Sequence, residues 1–214
     1  MKSACEVTSS AEDLWAANAD LAEACLESAF VRGLADGSLP VDSFRAYVAQ
    51  DAYFLDAFAR AYALALARSP DRYGLEAFSS LISGVIDELN LHAAYAKRWQ
   101  VDFTHTQPAE ATLAYTNFLL ATASLRSVGA TCAAMTPCMR LYAYLGQQLS
   151  TFDTESNPYR EWIKTYAAAE FESLAVQLEQ LLNRYSASPA AEAAAYRQAI
   201  HLELAFFEAH APPH

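Results

Sequence analysis

The chain has 214 residues, a formal net charge of −11 and 54% hydrophobic residues. This length suits one large domain that can bury a substantial core without disulfides, so we expect a single domain over residues 1–214. The 14 Lys and Arg residues are spread along the chain, whereas a nucleic-acid-binding surface needs clustered positive charge. The acidity also disfavours contact with anionic membrane surfaces. We therefore expect neither nucleic acid nor membrane as a partner.

The sequence shows no feature that would insert the chain into a bilayer. No apolar run approaches the roughly 18 residues that a spanning helix needs. Residues 1–20 also lack the apolar core of a signal peptide. We therefore expect a cytoplasmic protein.

Alanine-rich stretches favour helices over strands, because alanine loses no side-chain entropy in a helix. Between short turns rich in Gly, Pro, Asp and Ser, apolar residues recur every three or four positions, which is the helical period. Short connections between long helices favour antiparallel neighbours in a compact bundle. We therefore predict an all-α fold with helices at 11–32, 41–68, 72–100, 109–149 with an interruption, 157–184 and 190–210.

The helix predicted at 41–68 carries an acidic residue on an apolar face. Asp51 shares this face with Phe54, Leu55 and Phe58, at offsets of three, four and seven residues. A carboxylate that faces inward is costly to bury unless it is hydrogen-bonded. Asp51 is therefore expected either to bridge helices or to bind a ligand.

The helix predicted at 72–100 contains a Glu–His pair. Glu88 and His92 are four residues apart and share one face, an arrangement that can bind a metal from a single helix. A metal would need further ligands, which His201 or Glu203 could supply. A Glu–His hydrogen bond inside the bundle is the simpler interpretation, and the metal site remains an alternative.

The four cysteines show neither a Cys-x-x-Cys pair nor regular spacing, so we do not expect disulfides. Cys5 and Cys25 are predicted to be small buried hydrophobic residues. Cys132 shows no feature that suggests reactivity. Cys138 differs from the other three because a proline precedes it.

Cys138 follows Thr136 and Pro137 within the helix predicted at 109–149. Proline disfavours the helix interior, so the chain is expected to kink or restart there. If Thr136 caps a new helix and Pro137 takes its first position, Cys138 lies in the first turn. The positive helix end would then stabilise its thiolate. A kink would free a carbonyl near the thiol and stabilise the thiolate less.

Three further polar residues lie on apolar helix faces. Glu203 shares its face with Phe206 and Phe207, and Tyr115 and Tyr166 lie on two other helices. A tyrosine at helical spacing is usually a core residue whose hydroxyl has one hydrogen-bond partner. None of the three identifies a site by itself.

Seven short stretches along the chain combine these residues with their neighbours. They are 29–40 (AFVRGLADGSLP), 47–55 (YVAQDAYFL), 88–92 (ELNLH), 114–116 (AYT), 136–138 (TPC), 162–166 (WIKTY) and 203–207 (ELAFF). In this order and spacing they resemble the TenA family of thiamin-salvage hydrolases (thiaminase II, aminopyrimidine aminohydrolase). The likeness extends from about residue 12 to residue 210.

This resemblance implies the helical bundle shared with heme oxygenase and pyrroloquinoline-quinone synthase, assembled as a homotetramer. It also implies cofactor-free hydrolysis at the methylene carbon attached to a 4-amino-2-methylpyrimidine. The expected substrate is a small pyrimidine, the aminomethyl compound released by thiamin breakdown, and thiamin itself would be cleaved more slowly.

By position, the resemblance makes Cys138 the nucleophile that adds to the pyrimidine ring and Glu203 the acid and base. Burial against Phe206 and Phe207 would raise the pKa of Glu203, as proton delivery to a leaving amine requires. Asp51 would hold the amino group and nitrogen of the ring. The predicted substrate-binding residues are Asp51, Phe54, Tyr115, Tyr142, Tyr166 and Phe207.

The chain also departs from the family pattern. Phe54 stands where the family commonly has a tyrosine, which removes a hydroxyl from the predicted pocket. Met139 and Arg140 stand where aromatic residues are frequent, and Leu202 replaces a tyrosine. Two other functions stay open, a metal-dependent oxidase or oxygenase on the same bundle and a non-catalytic pyrimidine-binding or regulatory protein.

Overall fold

The computed structural model describes residues 10–101, 106–151 and 155–212, without the side chains of residues 91, 92, 94 and 95. Over these residues the chain is helical and contains no strand, which confirms the predicted all-α class. None of the helices in the described ranges combines the length and the apolar character that crossing a bilayer requires. The helices are α1 (Ala11–Ala16), α2 (Ala19–Glu27), α3 (Ala29–Asp36), α4 (Val41–Ala67), α5 (Arg72–Trp99), α6 (Glu110–Leu125), α7 (Val128–Ser150), α8 (Arg160–Ala167), α9 (Ala169–Tyr185) and α10 (Pro189–Ala209).

Helix α7 forms the centre of the bundle. It packs against α8, α9 and α10 and also contacts α4 and α6. Every residue from Gly129 to Met139 is buried, and a helix that is buried all round needs neighbours on each face. Most of these residues are Gly, Ala, Thr or Cys, whose small side chains let the surrounding helices approach closely.

The prediction of one helix over 11–32 was wrong, because polar residues divide this segment into α1, α2 and α3. Ser28 has an extended backbone with ψ 146°, and its hydroxyl accepts a hydrogen bond from the Val31 amide at 3.3 Å. A serine in this position starts a new helix. Gly37, with φ 77°, ends α3 in the left-handed conformation that glycine adopts at little cost.

The interruption expected within 109–149 lies at residues 126–127, between α6 and α7. Arg126 is extended there, and the Ser127 hydroxyl caps α7 by accepting a hydrogen bond from the Ala130 amide at 3.2 Å. Of the two alternatives expected at Pro137, a kink or a helix restart, the restart was therefore wrong, since this proline lies inside α7.

Burial explains why α7 continues through Pro137. Thr136 does not act as an N-cap, and its hydroxyl instead donates to the Cys132 carbonyl at 2.8 Å within the same helix. The proline removes one helical hydrogen bond, but the helices packed around α7 keep this helix continuous through Pro137. Cys138 consequently lies in a helix interior, away from any helix N-terminus.

The segment predicted as one helix at 157–184 forms α8 and α9, which are separated at the extended residue Ala168. Helix α8 ends in backbone contact with α7 at Gly146. A methyl group at Gly146 would lie 2.4 Å from the Tyr166 carbonyl carbon and 2.5 Å from the Ala167 nitrogen. Glycine at this position therefore lets α8 approach α7 closely enough to bring Tyr166 into the interior.

A partly buried ion-pair cluster joins α7 to α9. Arg140 pairs with Glu172 at 2.8 Å and with Glu179 at 2.6 Å, and the exposed fraction of its side chain is 15%. By contrast, the Arg60–Asp56 pair on α4 is solvent-exposed and contributes little to stability. The Arg140 cluster thus fixes α9 against the central helix.

We predict that Gly146→Ala lowers the free energy of unfolding, because the new methyl group would overlap backbone atoms that cannot rotate away. Overpacking of this kind costs about 1–3 kcal/mol, more than the roughly 0.5–1 kcal/mol that alanine gains over glycine in a helix. Gly84→Ala is the matched control, since its methyl group would meet only the flexible Leu174 side chain, at 3.0 Å. Equal urea midpoints for the two variants would contradict the close contact at Gly146.

Candidate active site

A small enclosed cavity lies among α4, α5, α7, α8 and α9. It offers about 10 Å³ of space open to the centre of a water molecule, which is room for about one water. Five of the eight residues predicted from the sequence line it, and Leu55, Phe58, Glu88, Met139 and Phe171 complete the lining. The five are Asp51, Phe54, Cys138, Tyr142 and Tyr166.

A hydrogen-bonded cluster of an acid, a thiol and a phenol borders this cavity. The Tyr115 hydroxyl donates to Glu203 Oε1 at 2.7 Å, and the Cys138 thiol is hydrogen-bonded to the same carboxyl group. Helices α6, α7 and α10 each contribute one of these residues. Glu203 is only 1% exposed, so its carboxyl group interacts with protein groups rather than with bulk water.

The Cys138 thiol is protonated at neutral pH. Burial raises the pKa of this thiol well above its ordinary value, and the nearby carboxyl groups of Glu203, Glu88 and Asp51 raise it further. This corrects the prediction that a helix N-terminus would stabilise the thiolate, because Cys138 lies mid-helix beside acidic groups. A reaction at this sulfur therefore requires a base that removes its proton.

Glu203 has the properties of such a proton-transfer group. Burial raises the pKa of its carboxyl group from 4.5 to about 8, and the charge of Asp51 acts in the same direction. The hydrogen bonds from Tyr115 and Cys138 oppose the shift. The direction predicted from the sequence is confirmed. A carboxyl group with a pKa near neutrality can both donate and accept a proton at physiological pH.

A chain of aromatic hydrogen bonds lies next to Asp51. The Trp162 indole donates to the Tyr47 hydroxyl at 3.2 Å, which donates in turn to the Tyr142 hydroxyl at 3.2 Å. Burial raises the pKa of both tyrosines well above 10, and Asp51 adds to the effect. Tyr47 was not among the predicted site residues, although it precedes Asp51 by four residues and so shares its helix face.

Glu88 serves as the hydrogen-bond acceptor for Tyr166 at the opposite side of the cavity. The Tyr166 hydroxyl donates to Glu88 Oε1 at 2.6 Å. Burial, followed by the charge of Glu88, raises the pKa of Tyr166 well above its ordinary value. The side chain of His92 lies outside the described residues, so the Glu88–His92 hydrogen bond stays a prediction.

Two of the residues proposed as metal ligands differ in their exposure. Glu203 is buried, whereas His201 on the same helix is exposed. Within the part of the chain that the structure describes, no group of three or more His, Cys, Asp and Glu side chains is arranged to hold a metal ion.

Phe207 does not line the cavity. It is 0% exposed and packs between Phe30 and Tyr142, with ring centroids 5.7 Å from each. Phe207 therefore packs against the Tyr142 ring without lining the cavity itself. Of the residues that depart from the family pattern, Met139 lines the cavity and Arg140 is engaged with α9.

The predicted burial of Cys25 is confirmed, and Cys132 is buried as well. Cys25 and Cys132 are free, and each is 0% exposed. Cys5 lies outside the described residues. Larger clefts of about 600 Å³ and 480 Å³ occur on the surface, but none of the predicted site residues lines either of them. The site is thus distinguished by its chemistry and not by its volume.

The fold and the site define an all-helical protein with a thiol, a carboxyl group and aromatic side chains around one internal cavity. Residues 15–210 match the TENA/THI-4/PQQC family. The chain therefore belongs to this family.

The relatives of the chain include a named enzyme. The aminopyrimidine aminohydrolase of Halalkalibacterium halodurans is 36% identical over 167 residues, which are 75% of this chain and 75% of the relative. The bifunctional TH2 protein, mitochondrial, of Arabidopsis thaliana is 38% identical over 209 residues, which cover 85% of this chain and 34% of the relative. The chain thus spans about a third of the plant protein.

The fold is also found among solved structures. A TenA family transcription regulator from Silicibacter has a TM-score of 0.86 at 26% identity, with 94% of this chain and 95% of that chain covered. A TenA homologue from Pyrococcus furiosus, 22% identical, also has a TM-score of 0.86, covering 93% of this chain and 98% of its own.

We predict that Glu203→Gln changes the pH dependence of stability. The folded-state pKa of Glu203 is raised from 4.5 to about 8. Between these values the folded protein keeps a proton that the unfolded chain releases, so the free energy of unfolding is highest at low pH and falls as pH rises across this window. Glutamine stays neutral, so the variant should gain stability relative to the wild type by up to about 1.4 kcal/mol per pH unit. Urea denaturation at pH 5 and pH 8 measures this gain.

The exposed residue Glu208 on the same helix provides the control for this experiment. Replacement of this exposed carboxyl group should change the unfolding free energy by no more than about 0.5 kcal/mol at either pH. An equally small change for Glu203→Gln at pH 5 and at pH 8 would contradict the raised pKa of Glu203.

Proposed function

We propose that the protein is an aminopyrimidine aminohydrolase of thiamin salvage. It hydrolyses 4-amino-5-aminomethyl-2-methylpyrimidine to the hydroxymethyl compound and ammonia, and it cleaves thiamin more slowly. The observation that carries this proposal is the Glu203 carboxyl group, hydrogen-bonded to both Tyr115 and Cys138 beside the cavity. Relatives named aminopyrimidine aminohydrolase support it, and one of them is 36% identical.

Binding of the ring is assigned to Asp51 and to the aromatic side chains around it. Asp51 lines the cavity together with Phe54 and Tyr142. A carboxylate can accept hydrogen bonds from the amino group and a protonated nitrogen of the pyrimidine. The flanking aromatic rings offer apolar faces to the heterocycle.

The first half of the proposed reaction removes the amine. The sulfur of Cys138 forms a bond to an electrophilic ring carbon, its proton passes to the Glu203 carboxylate, and the ring π electrons move to the ring nitrogen. Glu203 then protonates the amine, the exocyclic C–N bond breaks, and ammonia leaves. An exocyclic methylene group bound to the thioether ring remains. One difficult displacement is thereby divided into easier steps.

The second half of the proposed reaction restores the ring. A water molecule adds to the methylene carbon while Glu203 accepts one of its protons, and the C–O bond of the product forms. The C–S bond then breaks, aromaticity returns, and the Cys138 sulfur regains a proton from Glu203. Glu203 takes a proton and gives it back in each half, which suits a pKa of about 8.

The size of the cavity adds a requirement to this proposal. A space of about 10 Å³ is far smaller than the roughly 300–1,000 Å³ of typical small-molecule sites. The pyrimidine can therefore bind only when lining side chains move. Met139 lines the cavity and is unbranched and flexible, so its side chain can move aside for the ring.

We predict that Cys138→Ala reduces kcat by about 10³-fold or more, because no other described thiol lines the cavity. The helical circular dichroism signal should stay unchanged, since alanine replaces a buried thiol with little loss of packing. Release of the hydroxymethyl pyrimidine measures activity.

Cys132→Ala is the matched control for this variant. Cys132 lies on the same helix and is fully buried, but it does not line the cavity. Its replacement should leave kcat within about twofold, as expected for a substitution that removes no contact with the reacting atoms. Equal losses from both substitutions would contradict the role of Cys138 as nucleophile.

We further predict that hydrolysis proceeds without an added cofactor and survives EDTA, because the proposed steps use only Cys138, Glu203 and water. Loss of activity on chelation, followed by recovery with a transition metal, would favour the metal-dependent alternative. The homotetrameric assembly and the cytoplasmic location remain predictions.

A further inference from the structure

A second cavity adjoins the proposed active site. It is a surface cleft of about 340 Å³ between α5 and the junction of α8 and α9. Glu88 and Phe171 line both this cleft and the internal cavity. These two side chains therefore form the wall between the two spaces. The cleft is also lined by Gly84, Asp87, Glu170 and Leu174.

Phe171 is the movable part of this wall. It lies in the first turn of α9, three residues after the extended Ala168 that separates α9 from α8. Its ring contacts Tyr166 edge-on, with centroids 4.9 Å apart and planes at 89°. Because Phe171 lines both spaces, rotation of its side chain would join the cavity to the cleft.

The α9 backbone that carries Phe171 is held in place independently of the ring. The next residue, Glu172, pairs with Arg140 of the central helix at 2.8 Å and accepts a hydrogen bond from Gln147 at 2.8 Å. Movement of the Phe171 side chain therefore does not require movement of the helix.

The chemistry of the cleft suits a positively charged group. Asp87, Glu88 and Glu170 contribute three carboxyl groups to its lining, and carboxylates attract cations over several ångströms. Its volume lies within the range of small-molecule sites, about 300–1,000 Å³. The cleft thus offers both space and charge complementarity for a cationic amine or a cationic heterocycle.

We propose that this cleft is the leaving-group subsite of the enzyme, and that Phe171 determines how large a leaving group is accepted. This inference rests on the proposed function, because it assumes that the pyrimidine binds in the internal cavity. Ammonia leaves with Phe171 in place, whereas a thiazolium ring or an N-substituted amine occupies the cleft and requires Phe171 to turn aside.

The test compares two substrates in each variant, the aminomethyl pyrimidine and thiamin. The quantity measured is the ratio of kcat/KM for thiamin to kcat/KM for the aminomethyl pyrimidine, so that general effects on catalysis cancel. Phe171→Ala opens the wall and should raise this ratio about tenfold or more, the scale of steric discrimination in such pockets. Phe171→Leu should raise it less and guards against a folding defect in the alanine variant.

A substitution that narrows the cleft should change the ratio of kcat/KM values in the opposite direction. Gly84→Leu extends a side chain into the cleft beside Leu174 and should lower the ratio by about tenfold, with little change for the aminomethyl pyrimidine. Phe118→Ala is the matched control, because Phe118 is a half-buried phenylalanine that lines a different cleft. Its ratio should equal that of the wild type.

The outcomes separate the two proposals. If the wild type hydrolyses neither substrate, the proposed function itself fails. If it hydrolyses the aminomethyl pyrimidine and the Phe171 and Gly84 variants keep the ratio of the Phe118 control, the leaving-group subsite is wrong while the proposed function stands.

Discussion

The burial of the Glu203 carboxyl group is the constraint on which the rest of the site depends. An ionised carboxylate is costly to bury, so this group is held mostly protonated and must have hydrogen-bond partners close by. Tyr115 and Cys138 provide them from two other helices. The meeting point of α6, α7 and α10 is therefore set by polar requirements within an apolar core. The same burial that destabilises the ionised acid gives it a pKa near the working pH.

The central helix α7 makes this arrangement possible. Its small residues from Gly129 onward allow neighbours on every face, and Gly146 admits the α8 backbone. In the interior of such a helix, Cys138 gains nothing from a helix terminus, and the acids around it raise the pKa of its thiol. Under the proposed function, activation of this thiol therefore requires proton transfer to Glu203. The hydrogen bond between the Cys138 thiol and the Glu203 carboxyl group provides the path for this proton transfer.

The helical class and the inward position of Asp51 and Glu203 could be predicted from the sequence, because the 3.6-residue period determines which side chains share a face. The helix breaks at Ser28 and Ala168 could not be predicted, since neither break involves a glycine or a proline. The opposite error occurred at Pro137. A helix restart was considered there, but packing around α7 outweighs the tendency of proline to break a helix. Phe171 was missed for a related reason. Its place in the site depends on the unforeseen break at Ala168.

The acidic lining of the site also bears on the charge of the ligands that it can accept. Asp51 and Glu88 line the cavity, and Asp87 and Glu170 line the cleft beside it. A phosphoryl group, which carries between one and two negative charges at neutral pH, would meet like charge on either path to the thiol. Under the proposed function, such a lining would disfavour a phosphorylated pyrimidine relative to the unphosphorylated one.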